Sequence, residues 1–71
     1  MTNNQEKELK KKILELLSTE KFTSTNEISN KLNINWHTCF SLLHELMVEG
    51  YVEKTKTNKE ILWKKKNERM D

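Results

Sequence analysis

Apolar residues in the first third of the chain recur at helical spacing. Leu9, Ile13, Leu16 and Leu17 follow the i, i+4, i+7, i+8 pattern of one buried face, which predicts a helix over about residues 6–20. Lys10, Lys11 and Lys12 begin its polar side, and Leu14 lies at the edge of the apolar arc. Leu14 fits ordinary core, or it widens the arc into a seam for a second chain. Phe22 and Thr23 are β-prone and suit a short strand or an extended connection. Ser24-Thr25-Asn26-Glu27 has the form of a capping box, with the Ser24 hydroxyl accepting from an early helical N–H and Glu27 reaching back. It opens a second helix over about residues 25–32 that buries Ile28 and Leu32.

Asn33-Ile34-Asn35 reads as a turn. Asn33 suits the left-handed conformation at a helix end, Ile34 fills the angle between helices, and Asn35 caps the next helix. That third helix is predicted over about residues 36–49, with Cys39, Leu42, Leu43 and Leu46 as its inward stripe. Gly50, the only glycine, supplies the positive φ that ends it. Residues 51–56 and about 61–65 then read as two strands around a tip of Thr57, Asn58 and Lys59. The expected class is mainly α with a small β-hairpin (α+β), as one domain.

Charge changes this picture more by its distribution than by its total. The net charge is only +2, but residues 54–66 carry six lysines against one glutamate, while residues 16–53 carry two lysines against five glutamates. A basic hairpin therefore follows a mildly acidic helical region. Such a surface is often no more than solvated Lys and Glu. Its alternative is a phosphate-binding edge.

The 71 residues are 34% hydrophobic, close to the size at which one core is marginal, so pairing with a second copy is expected. The seam would use the first helix and the C-terminal segment, residues 63–70. A single cysteine excludes an internal disulfide and fits a reducing, cytoplasmic setting. No apolar run reaches membrane-spanning length, and the N-terminal residues lack the apolar core of a signal peptide.

Catalysis has no support: there is no paired-carboxylate pattern, phosphate loop, or nucleophile beside a base. No cofactor and no small-molecule effector are expected. A metal shared by His37 and His44 is excluded by helix geometry, since seven residues separate them by about 10.5 Å along the axis. Cys39 points about 160° away from His44 and reads as a small core residue.

Double-stranded DNA is the ligand that the order of elements favours. A helix in the major groove reaches base edges with the outer face of its N-terminal half. Given the inward stripe, that face is expected to present Trp36, His37, Phe40, Ser41 and His44. Thr38 and Asn35 stand at the helix start, close to a phosphate. The start of the second helix, at Ser24 and Thr25, offers backbone N–H groups to the same backbone. Lys54, Lys56 and Lys59 on the hairpin would run along an adjacent phosphate or minor groove.

Glu27-Ile28, Leu32-Asn33-Ile34-Asn35, Thr38-Cys39, Leu43, Leu46 and Gly50-Tyr51-Val52 stand at the offsets of a known family. Across about residues 8–66 the chain resembles the winged helix-turn-helix domains of small prokaryotic and archaeal transcriptional regulators, including compact versions encoded by archaeal viruses. The resemblance implies three helices plus a two- to three-stranded wing, a recognition helix beginning at Asn35, and a wing after Gly50. It implies a sequence-specific DNA-binding regulator acting as a homodimer. One departure stands out. Residues 36–49 contain no Arg, Lys, Gln or Asn, the side chains that pair with guanine and adenine edges. Readout would fall to His37, Thr38, Ser41 and His44, with Trp36 and Phe40 on thymine methyls. The alternative is a protein-binding adaptor that docks a partner on a Trp36/Phe40/Met47 stripe.

Overall fold

The structure is a computed structural model and describes residues 4–66. Helix α1 (Asn4–Leu16) leads into a short strand β1 (Thr23–Ser24). Helix α2 (Thr25–Leu32) and helix α3 (Trp36–Val48) come next, and strands β2 (Val52–Lys56) and β3 (Ile61–Lys65) form a hairpin. The sheet is antiparallel in the order β1-β3-β2, so β1 adds a third strand to the hairpin.

The caps behave as their residues dictate. Ser24 Oγ accepts from Glu27 N–H at 3.1 Å, and Asn35 Oδ1 accepts from His37 N–H at 2.8 Å. The second half of the expected capping box is not made, because the Glu27 carboxylate turns instead toward Lys31 at 3.8 Å. Asn33 takes φ 58°, and the Ile34 N–H closes back on the Ser29 carbonyl at 3.0 Å. Gly50 takes φ +91°, with Gly50 N–H on the Met47 carbonyl and Tyr51 N–H on the Leu46 carbonyl. Both helix ends thus close through a left-handed residue that recovers two stray carbonyls.

The first helix is shorter than its apolar spacing predicts. It ends at Leu16 and not near residue 20. The Ser18 carbonyl is taken by Lys65 N–H at 2.9 Å, and the Ser18 hydroxyl accepts from Glu20 N–H at 2.9 Å. A serine that offers the backbone these alternatives competes with helix continuation.

The core joins Ile13 and Leu17, Ile28, the α3 stripe Cys39, Leu42, Leu43 and Leu46, then Val52 and Trp63 from the sheet. Leu14 is half-buried against this core, as its ordinary reading holds. Trp63 corrects an expectation: it is fully buried between sheet and helices, so it is not part of a surface seam. Residues 67–70, the rest of that expected seam, lie outside the described residues, as do residues 1–3. No helix among the described residues is long and apolar enough to cross a membrane.

Candidate nucleic-acid interface

The hairpin register aims the wing. Alternation along β2 puts Val52, Lys54 and Lys56 on one face of the sheet, paired across to Lys65, Trp63 and Ile61. Val52 and Trp63 anchor that face in the core, so exposed Lys54 and Lys56 continue it beyond the edge of the helices. Glu53 and Lys64 pair across the opposite face. There Lys64 Nζ sits 4.9 Å from the centre of the Phe22 ring, a cation–π contact that places this lysine with β1 and not with the tip.

Thr57 holds the tip. Its hydroxyl accepts from Lys59 N–H at 3.2 Å and Glu60 N–H at 3.1 Å, and its N–H donates to the Glu60 carbonyl at 2.9 Å. Lys59 therefore stands on a closed turn. Composition alone credits that turn to Asn58 and Lys59, whereas the hydroxyl of Thr57, three residues before Glu60, is what closes it.

Between this tip and the helices lies a cleft of about 270 Å³, bordered by Thr25, Asn26, Trp36, Lys56, Thr57, Asn58, Lys59, Glu60 and Ile61. It brings four expected site residues together: Thr25, Trp36, Lys56 and Lys59. Ser24, Asn35, His37, Thr38, Ser41, His44 and Lys54 do not border it. On α3 the exposed residues include His37, Thr38, Ser41 and His44, as the helical spacing predicts.

Two expected positions differ. Thr25 is 2% exposed, and its hydroxyl is committed inside the fold: it accepts from Trp63 Nε1 at 2.7 Å and donates to the Ile61 carbonyl at 3.2 Å. The pairing partners are 38 residues apart, which no local pattern reveals. Phe40, expected on the outer face, is half-buried, with its ring edge-on to Trp63 at 5.7 Å between centres. Met47 is likewise half-buried on the core. The Trp36/Phe40/Met47 stripe is therefore mostly packing, and Trp36 is its exposed member.

Trp36 is held in place by its neighbours. Its ring stacks on Phe40 at 5.2 Å and 4° between planes, and meets His37 edge-on at 5.4 Å. His44 extends the row, 6.4 Å beyond Phe40. The acidic residues of α3 face elsewhere. Lys10 of α1 binds Glu45 at 3.0 Å and the C-cap residue Glu49 at 3.3 Å, which ties the two helices together and offsets one of the two charges. The hydrogen bond to Glu45 is the main reason the Lys10 ammonium titrates above its ordinary value. Burial pushes the Cys39 thiol up to about 11, so it stays neutral and serves as core. Among the described residues no group of three or more His, Cys, Asp or Glu side chains can hold a metal ion.

The chain belongs to the winged helix-turn-helix DNA-binding family, whose model matches residues 6–53. It is similar to a viral Zalpha domain crystallised on left-handed Z-DNA, with a TM-score of 0.71 and 30% sequence identity. That likeness covers 86% of this chain and 84% of the viral domain. No curated protein matches the chain.

Proposed function

We propose that this DNA-binding domain is a small intracellular transcriptional regulator. In this reading α3 lies in the major groove of right-handed DNA, and Lys54, Lys56 and Lys59 lie along the phosphates. The observation that carries the reading is the cleft in which the first residue of α3 faces the lysine tip of the wing. A duplex spanning that cleft meets groove-reading side chains and phosphate-binding cations on one side of the protein. His37, Thr38, Ser41 and His44 are the side chains proposed for base edges, with Asn35 and the starts of α2 and α3 beside phosphates. A homodimer belongs to the same reading, because two copies would set two α3 helices about one DNA turn apart. Leu16, left 37% exposed on α1, is the apolar side chain available to such a seam. A monomer by sedimentation at micromolar concentration would remove the dimer and its palindromic site.

A second reading is favoured by a specific observation. Helix α3 offers no Arg, Lys, Gln or Asn to base edges, while the viral domain it resembles was crystallised on left-handed Z-DNA. A duplex recognised by its shape and phosphates needs no such set of side chains. The adaptor reading is weaker, since two of its three stripe residues are half-buried.

Competition binding across a salt series separates these readings. The probes are DNA from upstream of the protein's own gene, a random right-handed duplex, and an alternating CG duplex held left-handed. Preference for the upstream DNA with a steep negative salt slope supports the regulator. Preference for the left-handed duplex supports the second reading. Equal binding to all three overturns both forms of specificity, and no binding at low salt overturns DNA as the ligand.

A further inference from the structure

The cleft beside the wing contains one group that a continuous duplex does not use, the ring of Trp36. One wall is an indole fixed by stacking on Phe40, so a planar ligand meets a preset ring and orders little on binding. The wing side carries Lys56 at the end of β2 and Lys59 on the turn closed by Thr57. Asn26 and Asn58 supply amide groups between them. A paired base inside a helix hides its faces in the stack and cannot meet the indole face to face. An unpaired base can. The volume, about 270 Å³, lies just under that of ordinary small-ligand pockets and suits one nucleotide unit, not a run of them.

We propose that this cleft takes a single unpaired nucleotide of DNA, its base against Trp36 and its phosphate between Lys56 and Lys59. The domain then grips a duplex best where one strand continues past the end of the pairing. The inference rests on the DNA-binding reading above and names what the wing side of that interface holds. The charge balance fits a phosphate: Lys56 and Lys59 outnumber Glu60 around the cleft, and Lys54 lies on the same sheet face. Stacking on an aromatic ring is sequence-tolerant, so the cleft would accept any base.

The test compares a blunt duplex with the same duplex bearing a short single-stranded overhang of either polarity. Binding is monitored by anisotropy of the labelled DNA and by tryptophan fluorescence. Trp63 is fully buried, so quenching reports Trp36. The expected result is about tenfold tighter binding of the overhang duplex, with quenching that the blunt duplex does not produce. Trp36→Leu should abolish the preference and Trp36→Phe should keep it, with thermal melting used to verify that both variants fold. Equal binding of blunt and overhang duplexes overturns the proposal and leaves duplex docking intact. So does a preference that survives in Trp36→Leu. Failure to bind either duplex removes the inference together with the DNA-binding reading.

Discussion

Thr25 and Trp63 form the pair on which the geometry of the interface depends. The indole N–H of Trp63 is buried and finds its partner in the Thr25 hydroxyl, which passes a hydrogen bond on to the Ile61 carbonyl. Thr25 is the first residue of α2 and Ile61 opens β3, so this short chain of hydrogen bonds sets the wing against the helices. Thr25→Val keeps the shape but strands the indole N–H, and should lower stability by about 1–3 kcal/mol in denaturant unfolding. Thr25→Ser keeps the hydroxyl and should retain most of it. Cys39 offers an independent probe. Its buried thiol titrates near 11 instead of its ordinary 9.0, so its contribution to stability is complete below the ordinary value and disappears as pH rises through about 11. At neutral pH a thiol reagent should therefore label the folded protein far more slowly than the denatured chain. Equal labelling rates would contradict the burial.

At the scale of elements, helices and turns are legible in the sequence where a local rule is sufficient. Asn33, Asn35 and Gly50 adopt the turn and cap conformations their types favour, and the α3 stripe is the core stripe. Three of the departures from sequence expectation share a cause. The end of α1 is set by Lys65 capturing the Ser18 carbonyl, the burial of Trp63 by its pairing with Thr23 and Thr25, and the half-burial of Phe40 by Trp63. Each is a long-range contact made by β3, the strand inserted between β1 and β2. Periodicity within an element carries no information about such a partner. The wing itself yields an element-scale expectation. Replacing Lys54, Lys56 and Lys59 together by alanine should weaken duplex binding and flatten the log-salt slope by about 0.9 for each phosphate no longer neutralised. Thermal stability should be nearly unchanged, because all three side chains are exposed. An unaltered salt slope would place the phosphates elsewhere.

Taken as a whole, the molecule separates its charges. Lysines gather on the hairpin, whereas Glu45 and Glu49 are held by Lys10 on the α1 side of α3. A net charge of +2 thus understates the field that the wing edge presents to a polyanion. Family membership makes DNA the ligand class, and the uncharged outer face of α3 suits a division of labour in which the wing supplies affinity and α3 supplies fit. The central claim is that DNA docks across the start of α3 and the wing tip. Backbone amide chemical shifts, recorded by NMR as a short duplex is added, test this most directly. The expected result is a continuous patch of shifted amides over residues 35–41 and 54–60. Shifts confined to α1 and the surface around Val48 and Tyr51 would contradict it.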